Sequence, residues 1–250
     1  KKSLLLTFLL AIPALGDHHG EANKEAAGLP AGLPAKSDTG ALEEAGFKAL
    51  FNGKDLTGWK KVGGSASYEV KDGAIRGFGK SIKGNTFLRT EREYGDFIYT
   101  FQFKFVDKSG NSGCMFRAFQ KDGKPDGRVT GYQCEHDNFK NGKRAWTAGI
   151  FDEARRGWLD PNKKASAEVK DKFTEQGNRL FKWDDWNTIV IKCKGNHIET
   201  YLNGEKRADF TDTDEKNTDL KGFFALQVHG GPSGDILWKN LCLKELRIVG

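Results

Sequence analysis

Apart from one polar stretch, no part of this 250-residue chain sustains apolar residues at helical spacing. Short runs rich in β-branched and aromatic residues instead follow one another, separated by Gly, Asn and Asp. Such a rhythm constrains the fold more than any other feature, because short strands with one apolar face must bury that face against a second sheet. The candidate strands are 47–51, 67–70, 74–79, 86–90, 96–106, 112–119, 130–137, 147–151, 186–194, 196–202, 205–210, 222–229 and 235–248. "KDGAI" and "CKGNHI" read as hairpin turns, and Asn203-Gly204 in "YLNGEK" is the strongest short hairpin signal. With 31 Gly and a single Met, the composition agrees with strands and tight turns. The expectation is an all-β sandwich of two antiparallel sheets. The one helix-like segment, 163–176, is highly polar and is expected on the surface, inside an insertion from Arg155 to Lys182.

The first residues, "KKSLLLTFLLAIPALG", place two lysines before a short apolar run and small residues before Gly16. This predicts a signal peptide over 1–16, far shorter than the roughly 20 residues that span a bilayer, and hence an exported protein, periplasmic or extracellular, with no membrane segment once it is removed. Removal there would leave Asp17-His18-His19 at a free amine, a pattern able to take Cu(II) or Ni(II), although a solvated tail is the simpler expectation. Residues 17–45, rich in Ala, Gly and Pro with the tandem "GLPAGLPAK", read as a flexible linker, and 46–250 as the folded domain. The net charge of +6 is spread among acids with no basic block, so nucleic acid is not an expected partner. Cys114, Cys134, Cys193 and Cys242 lack metal-ligand spacing, and the sequence leaves disulfides and buried free thiols equally open.

Side chains alternate across a strand, so three runs can be sorted by face. Over 113–119, Cys114, Phe116 and Ala118 share one side, and Gly113, Met115, Arg117 and Phe119 the other. Over 131–137, Tyr132, Cys134 and His136 oppose Gln133, Glu135 and Asp137. Over 223–229, Phe224, Leu226 and Val228 oppose Phe223, Ala225, Gln227 and His229. If these strands are neighbours, Arg117, Glu135, Asp137, Gln227 and His229 converge on one outer face, where next-but-one carboxyls about 6–7 Å apart can meet a single sugar unit. The plain alternative is a solvated outer face, the ordinary state of an antiparallel sheet.

The stretches "FNGKDLTGWK", "YEVKDGAIRG", "YGDFIYTFQFK", "GNSGCMFR", "GYQCEHDN", "DDWNTIVIKCKGNHIETYLNG" and "GFFALQVHGGPSGDILWKNLCLKEL" occur in order. Together they resemble the 3-keto-disaccharide hydrolase domain over about residues 46–248. The resemblance implies a concanavalin A-like jelly-roll sandwich and hydrolysis of glycosides whose sugar is oxidised at C3. By motif it brings Asn111, Arg117, Glu135, Asp137, Gln227 and His229 to the site and Arg155 or Arg156 to the rim; Gln133, on the face of Glu135, and Trp158, as a stacking surface, complete the candidate binding residues. A 3-keto group acidifies the C2 proton, so the expected chemistry is deprotonation at C2, β-elimination at C1 and addition of water. The expected roles are His229 or Glu135 as base, Arg117 as oxyanion stabiliser and Asp137 as acid or supporting partner. A divalent cation on Glu135, Asp137 and His229 is the alternative to Arg117. Carbohydrate is the expected partner, with a separate sugar 3-oxidoreductase upstream. Two rival functions are a sugar-binding domain without turnover and a conventional two-carboxylate glycosidase, the latter disfavoured because Glu135-His136-Asp137 is followed by Asn138 and Phe139.

Overall fold

The computed structural model describes residues 29–30, 32–34, 37–107, 111–124, 127–138 and 144–246. The expected signal peptide, the Asp17-His18-His19 stretch and the first part of the expected linker lie outside them. Among the described residues no helix is long and apolar enough to cross a membrane.

Two antiparallel sheets make a sandwich. One has the order β13(Glu205–Thr211), β12(His197–Leu202), β11(Asn187–Lys194), β6(Phe97–Phe105), β15(Gly231–Glu245), β4(Ala74–Ile82), β3(Ser67–Lys71), with β1(Lys48–Ala49) also on β15. The other, which carries the site, runs β10(Gly157–Asp160), β9(Ile150–Glu153), β8(Val129–Asp137), β7(Asn111–Gln120), β14(Phe223–Val228), β5(Thr86–Thr90), β2(Trp59–Gly63). Strand β6 shows why the sheets close on each other. Its alternate residues Phe97, Tyr99, Phe101, Phe103 and Phe105 all enter the core. Each such aromatic contributes roughly 1.5–3 kcal/mol by leaving water. Cys114, Phe116, Tyr132, Cys134, Phe224, Leu226 and Val228 meet them from the site-bearing sheet. The fold is therefore the expected two-sheet jelly-roll class, with β7, β8 and β14 adjacent as the face analysis required.

All four cysteines are buried free thiols, even Cys114 and Cys134, which face each other in the β7–β8 register. Four elements depart from expectation. Strands β2 and β10 are additional, each short and next to a turn. The linker assigned to 17–45 is too long. Within it Thr39–Glu44 forms α1, capped by Asp38, whose side chain accepts from the Ala41 amide, and anchored by buried Leu42. Ahead of α1, Leu29 and Leu33, one from each GLPA unit, pack on the outer apolar patch of the first sheet with Ile98, Val190 and Tyr201. The polar segment forms α2(Ala167–Leu180), displaced a few residues from the expected 163–176, with Ser166 capping and Phe173 and Gly177 buried.

Candidate functional site

The outer face of the second sheet holds a hollow of about 260 Å³ lined by Asn111, Gln133, Glu135, Asp137, Arg144, Phe151, Glu153, Trp158, Gln227 and His229. The register explains the convergence. Gln227 lies opposite Gly113 and Gly113 opposite Glu135, so these three stand in a row across β14, β7 and β8. Asn111 lies opposite Asp137 in the next row. Gly113 is the floor. A Cβ there would lie 2.6 Å from Gln133 Cδ and 2.9 Å from Gln133 Nε2, so its absence is what lets the Gln133 amide cross between Gln227 and Glu135. Gln227 Nε2 donates to Gln133 Oε1 at 3.0 Å, and Gln133 Nε2 donates to Glu135 Oε2 at 2.5 Å.

The two carboxyls sit in different electrostatic settings. Burial, then the charge of Asp137, push Glu135 up to about 8, against the Gln133 bond and Arg144. Burial also raises Asp137, but only to about 6, because Arg144 holds its charge with Nε 2.5 Å from Oδ2. At neutral pH Glu135 is thus largely protonated and Asp137 largely ionised. His229, exposed at the rim, places Nδ1 2.7 Å from the Gly230 carbonyl oxygen. A carbonyl can only accept, so Nδ1 carries a proton, and Nε2 is the ring nitrogen left facing away from this bond. Trp158 stands edge-on to Trp146 and Phe151, with centroids 4.7 and 5.3 Å away, and Arg144 lies 5.7 Å from the Trp158 ring. This wall offers aromatic surface to a sugar ring beside a cation.

Seven residues expected from sequence therefore line one hollow: Asn111, Gln133, Glu135, Asp137, Trp158, Gln227 and His229. Three do not. Arg117 is fully buried away from it. The β7–β8 register shifts between Phe116 and Phe119, and Arg117 has φ 46°, so a bulge breaks the alternation. Ala118 consequently packs on the outer side with Met115 and Phe223. The Arg117 guanidinium instead donates to Asp96 and to the carbonyls of Gly95, Gly195 and Asp219. Gly222 allows the bulge, since a Cβ there would come 2.4 Å from the Arg117 carbonyl carbon. Arg155 and Arg156 likewise serve the frame. Arg155 bonds Asp152 and Asp219, while Arg156 bonds Asp152 and Asp212. Asp212 also accepts from the Tyr132 hydroxyl, and despite its burial these donors hold it at about 2.

Arg144, Phe151 and Glu153 were not expected. No sequence pattern marked Arg144; its place is set by a pairing in the structure, of Ala145 with Asn138 and of Trp146 N–H with the Asp137 carbonyl. His136 does face the core. It stacks on Phe103 at 4.0 Å, both ring nitrogens lack partners among the described residues, and burial drives it down to about 3, so it stays neutral. Among the described residues no three His, Cys, Asp or Glu side chains gather as a metal would need, and Glu135, Asp137 and His229, the alternative cation set, are not such a group. A larger hollow of about 540 Å³ lies against the other sheet, but there Asp235 is held by Arg76, and Asp107 accepts from Ser233.

A family model described as the 3-keto-alpha-glucoside-1,2-lyase-like domain matches residues 46–244. No curated protein matches the chain. Among solved structures, a provisionally assigned glycosyl hydrolase from Parabacteroides distasonis superposes with TM-score 0.55 at 23% identity, covering 82% of this chain and 97% of its own. A Bacillus subtilis protein with a galectin-like fold gives TM-score 0.56 at 11% identity, covering 80% and 98%. The exoplasmic/lumenal domain of VIP36, bound to Ca2+ and Man3GlcNAc, gives 0.51 at 12% identity, covering 82% and 92%. At these identities the likeness establishes the fold alone.

Proposed function

Because the chain belongs to the 3-keto-alpha-glucoside-1,2-lyase-like family, we propose that the hollow on its second sheet cleaves glycosides oxidised at C3. The observation that carries this reading is the split between the two carboxyls beside His229 Nε2. A buried acid that keeps its proton at neutral pH, in one hollow with an imidazole whose Nδ1 is taken up by the backbone and whose Nε2 is not, is what an elimination needs.

His229 Nε2 takes the C2 proton, and the electron pair moves through C2–C3 onto the ketone oxygen. Arg144, the cation on the pocket wall, stabilises that oxygen in place of the expected Arg117. The pair then returns, the C1–O bond breaks, and the departing oxygen takes the Glu135 proton. Water adds to C1 of the enone, His229 returns its proton to C2, and Glu135 recovers a proton from the water. The sum is hydrolysis; stopping after elimination is a lyase reaction on the same groups. Asp137 keeps Arg144 in place. Glu135 thus moves from candidate base to acid, and Asp137 takes the supporting role that was one of its two sequence-based options, because its environment leaves it charged.

Since this chemistry consumes a C3 ketone and does not make one, an oxidoreductase acting on a sugar C3 hydroxyl must supply the substrate. Purified protein incubated with a 3-keto-disaccharide is expected to release monosaccharide or enone. Glu135→Gln and His229→Asn should each lower kcat/KM at least about 100-fold. Full activity in both variants removes the assignment. Tight binding of the same compound with no turnover, using the Trp158 wall, would support the sugar-binding alternative instead.

A further inference from the structure

The two glutamines of the pocket form a directional chain. An amide gives hydrogen bonds from its NH2 end and takes them at its oxygen. As described, Gln227 gives to Gln133 and Gln133 gives to Glu135 Oε2. That direction suits an ionised Glu135, which can only accept. It leaves Gln227 Oε1 buried, with no partner among the described residues, on a side chain that lines the pocket.

A protonated carboxyl can donate. If the Glu135 O–H turns to Gln133 Oε1, then Gln133 Nε2 must give to Gln227 Oε1, and the Gln227 NH2 is left for the pocket. Each amide turns about its terminal torsion, and Gly113 supplies the room beside Gln133 that a methyl group would fill. We propose that the Glu135–Gln133–Gln227 chain reverses with protonation of Glu135, so that Gln227 offers the pocket a donor when Glu135 is protonated and an acceptor when it is ionised. A ketone oxygen can only accept, whereas a hydroxyl can also donate. The Glu135 proton therefore first selects the oxidised sugar, through its bond to Gln133, and then turns from that bond to the departing oxygen. Gln227 becomes a specificity-determining residue and Gln133 a positioning residue. This deepens the function proposed above and rests on it.

The charged and titratable groups facing Glu135 are Asp137 on its own strand, Glu153 on β9, Arg144 from the following loop and His229 after β14. Asp137 titrates lower, near 6, and so separates from the step of Glu135.

The first test needs no substrate. In ligand-free protein, the side-chain carboxyl carbon of Glu135 and the side-chain amide of Gln227 are followed by NMR across pH. The expected result is a change in the Gln227 amide signals at the Glu135 midpoint. In Gln133→Met that step should vanish from Gln227, while the Glu135 midpoint rises by about one unit through loss of a donor. Gln227 signals that stay flat through the Glu135 titration, or that keep the step in Gln133→Met, overturn the proposal.

The second test measures Kd for a 3-keto-glycoside and its unoxidised counterpart two pH units either side of that midpoint. Wild type should gain about tenfold in ketone preference on the acid side, the worth of one hydrogen bond. Gln133→Met and Gln227→Met should each show a preference that does not change with pH. An equal gain in the variants sinks the idea. If neither ligand binds wild type at any pH, the functional reading of the hollow fails while the NMR result still decides the relay.

Discussion

Arg117 and Arg144 show how much one residue's backbone decides. Both were within reach of the site in sequence, and alternation placed Arg117 on the correct face until the bulge turned it inward. The cause lies far along the chain, in the close approach of Gly222 to the Arg117 backbone, so no local pattern could reveal it. Glu135, Asp137, Gln227 and His229 were legible because their strands keep strict alternation up to the strand ends. Arg144 was not, because a loop residue has no periodicity. The two arginines should separate cleanly on substitution. Arg117→Met leaves Asp96 and three carbonyls without their donor and should lower stability by about 3–5 kcal/mol, with kcat/KM of the folded fraction unchanged. Arg144→Met should lower kcat/KM by about 100-fold and, because it leaves the buried Asp137 without its cation, also lower Tm. Urea unfolding and steady-state kinetics on the same preparations distinguish the two outcomes.

At the scale of elements, the insertion does more than cover surface. Helix α2 packs so closely on the segment after β8 that a Cβ at Gly177 would lie 1.9 Å from the Ala145 carbonyl oxygen. Arg207 of β13 ties the same segment down, giving to the carbonyls of Ala145 and Thr147 and stacking at 3.6 Å on Phe173 of the helix. Trp146 Nε1 gives to Thr174. The loop that presents Arg144 and backs Trp158 is thus held from behind by α2. The sequence showed a polar helix with few apolar residues, and so predicted a surface element. Its anchoring depends on a missing side chain and one arginine, which hydrophobic periodicity does not register. Gly177→Leu should push α2 off this loop and lower kcat by at least about tenfold, with a smaller effect on the thermal transition than a core substitution. Loss of Tm without loss of kcat would show instead that α2 supports the sandwich and not the pocket.

For the whole molecule, the buried acid links the site to stability. Unfolded, Glu135 loses its proton near 4.5; folded, near 8. Between these values the folded state keeps a proton that the unfolded state has released, so stability is full below about 4.5, falls as pH rises through the window, and levels off above about 8. Asp137 acts in the same direction over a lower and narrower range. Glu135→Gln removes the larger slope. The variant should match wild type near pH 4.5 and exceed it by on the order of a few kcal/mol at pH 9, read from denaturation midpoints at each pH. The activity of wild type should decline over the same alkaline range as Glu135 loses the proton it must donate. The two-sheet architecture was legible from strand rhythm alone, because every apolar face needs a partner. The division of labour between the carboxyls was not, since it depends on burial that only the assembled sheets create.

Position 113 carries no side-chain chemistry at all, yet the polar chain above it exists only because the volume a side chain would take is left to the Gln133 amide. A single extra methyl group would wedge the amide of Gln133 away from its neighbours and leave the surrounding sandwich largely undisturbed. On the relay proposed here, alanine at that one place would disconnect Gln227 from the proton on Glu135 and leave the choice between ketone and hydroxyl indifferent to pH.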